Sequence, residues 1–260
     1  MSFRRITILL IITLFTAMIS MAAGDVFTVV IDPGHGGKDS GCVGTEAKEK
    51  DIVLEVSELL RDKIEKKYGK KVKVIMTRSD DRFVTLKKRA EIANTAKGDL
   101  FISIHINSVP KDAKGRSTVE GASVYTCGLH RSHDNLQVAM RENSVMELES
   151  DYSTKYKGFD PTSSESYIMF ELSQDRHQKQ SIQFARLAEN ALVSHAQRKS
   201  KGVRQAGFWV LWATSMPSVL VELDYLCNPT QEKFLKSEKG KDKCASALFE
   251  AFKSYYELTM

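Results

Sequence analysis

Several routes to function are closed by what this 260-residue chain does not contain. None of its four cysteines, Cys42, Cys127, Cys227 and Cys244, sits in a C-x-x-C pair, which argues against a cysteine-ligated zinc site. No compact H-E-x-x-H helix is present. The glycine-rich segment Asp32-Pro33-Gly34-His35-Gly36-Gly37 lacks the Lys and Ser/Thr of a phosphate-binding P-loop. Beyond the first twenty-odd residues nothing is long and apolar enough to span a membrane. There is no internal repeat and no low-complexity linker. Charge is modest too: the formal value is +5, and removing Arg4 and Arg5 subtracts two and leaves +3. Such a surface suits an anionic polymer but does not point to nucleic acid.

The N-terminus has a clear layout. Arg4 and Arg5 precede an apolar run from Ile6 to Ile19, which ends in Met21-Ala22-Ala23-Gly24. That is the pattern of a secretory signal peptide, and the run is short for a membrane span. The expectation is a signal peptide over 1–23 and one domain over 24–260, periplasmic or secreted, with no stable membrane anchor after cleavage. Export permits disulfides, and four cysteines allow three full pairings that spacing does not resolve.

Along the mature chain, strand and helix patterns alternate. Val26 to Ile31 reads as a buried strand, Asp51 to Lys66 as an amphipathic helix, and Val72 to Thr77 as a second strand. A helix over Val84 to Ala96 and a strand over Leu100 to Ile104 follow. This order argues for an α/β domain. We expect a three-layer sandwich with a mixed, mostly parallel sheet and helices on both faces. Gly121 to Thr126 reads as a strand. The polar stretch of about 130–180 reads as an insertion at the sheet's edge, with one helix near Leu136 to Leu148. Ser181 to Gln197 and Lys241 to Tyr256 read as helices, and Phe208 to Leu211 and Ser218 to Leu223 as short strands.

Four polar residues stand at the ends of these elements: His35, Glu49, His105 and Glu222. Ligands of open α/β sheets bind outside the carboxyl ends of the strands. Two imidazoles and a carboxylate suit a catalytic zinc site with one position open for water, and a second carboxylate nearby suits a general base. On spacing alone, each is as readily a satisfied structural group or a surface acid.

The segments Val30-Ile31-Asp32-Pro33-Gly34-His35-Gly36-Gly37, Glu49-Lys50-Asp51-Ile52, Ser103-Ile104-His105-Ile106-Asn107-Ser108 and Pro217-Ser218-Val219-Leu220-Val221-Glu222 change that balance. In this order they resemble the four signature blocks of the zinc-dependent N-acetylmuramoyl-L-alanine amidases, the AmiA/AmiB/AmiC-like family. The resemblance extends from Val26 to about Tyr256 and includes Thr77-Arg78 and Leu86 to Asn94. It implies Zn2+ on His35, Glu49 and His105, and Glu222 as the catalytic glutamate. It implies hydrolysis of the amide between the lactyl group of N-acetylmuramic acid and L-alanine in peptidoglycan (EC 3.5.1.28 type), in wall remodelling or septum splitting. It also implies that the helix beginning near Arg141-Glu142-Asn143-Ser144 can lie over the zinc until an activator protein displaces it, with Glu142 as a regulatory fourth ligand. After Glu222, Asp224, Tyr225 and Cys227 depart from the family's commonest residues. Two alternatives stay open: another zinc peptidase or deacetylase of the wall, and a peptidoglycan-binding protein without activity.

Overall fold

The computed structural model describes residues 26–260 except 130, 131, 157, 169 and 171–176. The expected signal peptide over 1–23 lies outside the described residues. The elements run β1 (Phe27–Pro33), α1 (Glu49–Tyr68), β2 (Val72–Met76), α2 (Leu86–Thr95), β3 (Leu100–Asn107) and β4 (Ala122–Cys127). Then follow α3 (His133–Asn143), α4 (Gln178–Ser194), β5 (Ser200–Ala206), β6 (Ser218–Tyr225), α5 (Pro229–Leu235) and α6 (Glu238–Thr259). The six strands form one sheet in the order β2-β1-β3-β6-β4-β5. Only the β4–β6 pairing is antiparallel; the other four are parallel. This is the mixed, mostly parallel α/β sheet expected.

Strand alternation sorts the core into two layers. Val29, Ile31, Ile102, Ile104, Val219 and Val221 point to one face, where α1, α4 and α6 cover them. Val30, Phe101, Tyr125 and Leu220 point to the other, with residues of α2 and α3. The first face stays apolar along its length. On the second face the same alternation turns polar toward the carboxyl ends: Val30 is followed by Asp32, Phe101 by Ser103 and His105, and Leu220 by Glu222. Since β1, β3 and β6 run parallel, those polar ends collect at one edge.

Three expectations need correction. Phe208 to Leu211 is not a strand: Trp209–Trp212 is a single helical turn, and Phe208, Val210 and Leu211 fill the second core layer. A four-residue apolar run has no periodicity to separate the two outcomes. The missed strand, β5, reads Ser-Lys-Gly-Val-Arg-Gln-Ala, with one β-branched residue, and lies half-exposed at the sheet's edge. The stretch of about 130–180 is not an appendage on that edge. Its Leu136, Ala139, Met146, Tyr156, Phe159 and Tyr167 pack into the second layer. Its helix ends at Asn143 and continues as a 3₁₀ turn, Ser144–Leu148.

Candidate metal centre

The turn after β1 places His35. Its φ of 60° is unusual for a residue with a side chain. Backbone acceptors hold it: Arg89 donates to Pro33 O at 2.6 Å and to His35 O at 2.5 Å. The fully buried Arg78 donates to Pro33 O, Gly34 O and Lys50 O. With these contacts Arg78 clamps the backbone of the turn. Gly34 is required by close approach, because a Cβ there would lie 2.5 Å from the His105 ring.

Beneath the turn, Asp32 ties three elements together. It accepts from Thr77 Oγ1 at 2.5 Å, Ser103 Oγ at 2.7 Å and Arg89 Nη1 at 2.7 Å. Burial opposes its ionisation, but the Arg89 charge and these hydrogen bonds outweigh it and hold the carboxyl below its usual value.

Glu49 opens α1 and is fully buried, an acid at the end of a helix whose dipole favours negative charge. Its two oxygens accept from Cys42 N at 2.7 Å and Ile106 N at 2.8 Å. The loop before it is fixed from far along the chain. The buried Glu232 of α5 accepts from the backbone N–H groups of Thr45, Glu46 and Ala47 at 2.6–3.0 Å. Asp39 lies 2.7 Å from His35 Nδ1, where it fixes the ring and leaves Nε2 facing inward. Sequence reasoning missed both Glu232 and Asp39.

His105 lies near the end of β3, beside Glu222 of β6 in register. Glu142 arrives from the last turn of α3 and is buried, not the solvated helix residue that its polar sequence neighbourhood allows. His35, Glu49, His105 and Glu142 thus converge, with one ligand atom of each within 4.8 Å of every other. His35 Nε2 lies 3.0 Å from Glu49 Oε1, 3.2 Å from His105 Nδ1 and 3.3 Å from Glu142 Oε2. His105 Nδ1 lies 3.2 Å from Glu49 Oε1 and 3.0 Å from Glu142 Oε2.

These spacings test whether the group fits a metal ion. Four ligands at about 2.0–2.1 Å around a tetrahedral centre stand about 3.3 Å apart. Five of the six edges measured here are 3.0–3.3 Å. Glu142 Oε2 is buried without an aligned hydrogen-bond partner despite two nitrogens within that distance. A buried carboxylate oxygen so placed is satisfied by a common cation. Electrostatics agree. Burial disfavours charge on both imidazoles, yet Glu49 holds the His35 pKa well up, and Glu142 raises that of His105 to about 9. The field that favours protons there favours a divalent cation.

Glu222 is fully buried next to this cluster. Burial pushes its carboxyl up to about 8; the negative charges of Glu142 and Glu49 add to the rise, and Arg141 opposes it. Oε1 lies 3.3 Å from Arg141 Nη2, and Oε2 has no hydrogen-bond partner. Arg141 also donates to Asn107 Oδ1 and Ser108 O, which pins α3 across the strand ends. Asn143 completes that anchor. It donates to Gly207 O and Tyr167 Oη, and accepts from Trp209 N.

Comparison with known proteins agrees with this geometry. The N-acetylmuramoyl-L-alanine amidase family model, Amidase_3, matches residues 29–254. The uncharacterized protein YqiI of Bacillus subtilis is 33% identical over 230 residues, 88% of this chain and 85% of that one. N-acetylmuramoyl-L-alanine amidase AmiA of Escherichia coli K12 is 33% identical over 233 residues, covering 88% and 75%. The crystal structure of N-acetylmuramoyl-L-alanine amidase from Clostridium difficile 630 superposes with a TM-score of 0.67 at 25% identity, over 91% of this chain and all of that one. With its fold, its ordered blocks and a family match along nearly the whole described length, the chain belongs to the Amidase_3 family of N-acetylmuramoyl-L-alanine amidases.

Proposed function

We propose that the domain over 24–260 is a zinc-dependent hydrolase that cuts the amide between the lactyl group of N-acetylmuramic acid and L-alanine in peptidoglycan. The observation that carries this reading is the buried cluster of His35, Glu49 and His105 with Glu222 alongside, in a chain of the amidase family. His35, Glu49 and His105 hold the ion, and their nitrogen and oxygen donors suit zinc. Bound there, zinc polarises a carbonyl and makes water a better nucleophile at neutral pH. Glu222 takes the proton of the attacking water and returns one to the departing amine of L-alanine. The place of Glu222 suits both steps: it is fully buried beside the cluster, and its Oε2 has no hydrogen-bond partner.

Glu142 occupies the corner that water or substrate needs, so the arrangement with α3 across the strand ends is a resting state. An activator protein that draws α3 away opens the site. Because the substrate is the wall, the enzyme works outside the cytoplasmic membrane, periplasmic or secreted, after removal of residues 1–23. Among the described residues, no helix is long and apolar enough to cross a membrane.

Mass analysis of digested muropeptides tests the reaction. The wild type is expected to release stem peptides with a free L-alanine amine, and Glu222→Gln to release none. Release of a single terminal amino acid would indicate a carboxypeptidase, release of acetate a deacetylase, and unchanged muropeptides a binding protein.

A further inference from the structure

A cavity of about 640 Å3 lies beside the candidate centre. Arg141, which contacts Glu222, and Asn107, which accepts from Arg141, form its inner wall, and Tyr125, Lys201, Arg204 and Tyr225 form its outer part. Its outer cations stand out. Arg204 donates to Lys201 O and Asn135 Oδ1, and Lys201 Nζ lies 5.8 Å from the Tyr225 ring centroid. Among the described residues neither forms an ion pair, although most other partly buried cations here do. The one acid on the lining, Asp134, is exposed at the rim on α3. Asn107 gives a second, independent sign: it is 1% exposed, and its Nδ2 donor is buried without a partner. Such a donor is costly to leave unmade, and a bound acceptor satisfies it.

We infer that this cavity receives the peptide half of the substrate, with a free carboxylate of that peptide bound by Lys201 and Arg204 and a backbone carbonyl taken by Asn107 Nδ2. The inference rests on the amidase reading above. Register makes the reach workable. Glu222 pairs with Ser123 on β4, and Tyr125, on the same face, pairs with Arg204 on β5. Two strand spacings across the sheet and a two-residue offset along it separate the base from the cation, about 12 Å between backbones. An extended dipeptide leaving the scissile amide spans about 7 Å, and the Arg204 side chain covers the remainder. The first residue after L-alanine that carries a free carboxylate is therefore the one read. Tyr225, a position at which the chain departs from the commonest family pattern, walls the pocket beside Lys201.

Calorimetric binding to the intact protein tests this without requiring turnover: the probes lack the lactyl group and do not need the corner that Glu142 fills, and Asn107, Lys201 and Arg204 stand on strands rather than on α3. The probes are two dipeptides in which the L-alanine carbonyl is joined to the amine of D-glutamate and the γ-carboxyl is blocked as an amide in both, one with its α-carboxylate free and one with it amidated. The wild type is expected to bind the free acid about ten-fold tighter, the effect of one charge-assisted contact pair. Lys201→Gln is expected to lose part of that preference, and Lys201→Gln with Arg204→Gln all of it, while Arg204→Lys keeps most. Lys201 makes no side-chain hydrogen bond among the described residues, so its variant keeps the test valid if the double variant unfolds. Equal binding of the two peptides by the wild type, no measurable binding of either, or an unchanged preference in Lys201→Gln would overturn the inference. Failure of the amidase reading is read separately, in the muropeptide digest.

Discussion

The two parts of the molecule that meet at the candidate centre are built differently. His35, Glu49 and His105 stand on the sheet and α1, and the first two are fixed by several bonds to backbone or buried charge. Arg89 and Arg78 clamp the His35 turn, Glu232 holds the loop before Glu49, and two backbone donors fix the Glu49 carboxylate. Glu142 stands on α3, which joins a stretch of short helical turns packed through aromatic side chains. α3 meets the strand ends through Arg141, Asn135 and Asn143, and the second core layer through Leu136, Val138 and Ala139. Three donors are thus part of the scaffold, and the fourth is a guest. On the proposed reading, that difference lets one site be both preorganised for an ion and closed to substrate.

Breaking the scaffold side at the base gives the largest expected effect. Glu222→Gln removes the proton acceptor but no ligand, so turnover falls by about a thousand-fold or more while zinc stays bound. Muropeptide release and metal content on the same sample check both halves. Next is Glu232→Ala, which strips one acceptor from three loop N–H groups. A loss of about 2 kcal/mol in unfolding free energy is expected, together with weaker zinc binding. Denaturant melts with and without added zinc measure it, and unchanged melts would show that the loop holds itself.

On the guest side, Glu142→Ala should raise partner-free activity about ten-fold, because it removes a competitor for the open corner and releases α3. Unchanged or lower activity would argue that Glu142 is not a block. The smallest effect is on acid stability. The folded-state pKa of Asp32 lies below its unfolded value, so its contribution is fully present above about pH 4 and is lost as pH falls through the lower, folded value. Asp32→Asn should flatten that acid limb, as followed by circular dichroism.

Much of this was readable in the sequence, for identifiable reasons. β1, α1, β2, α2 and β3 carry clean apolar periodicity and are flanked by turn residues, so their expected and observed spans nearly coincide. β5 was hidden because an edge strand buries too little to need an apolar pattern. His35, Glu49, His105 and Glu222 stood out as polar residues in ordered blocks, and the structure brings all four together. Asp39 and Glu232 did not stand out. Asp39 is one of several acids near a glycine-rich turn, and Glu232 acts on a loop 185 to 187 residues earlier in the chain, a pairing no local pattern encodes. The burial of Glu142 depends on where α3 docks, which its own amphipathicity does not specify.

The zinc content of the purified chain tests the central claim most directly. The account predicts one equivalent per chain in the wild type and in Glu142→Ala, and almost none in His35→Ala at matched folding. Full zinc in His35→Ala, or none in a folded wild type supplied with zinc, would contradict it.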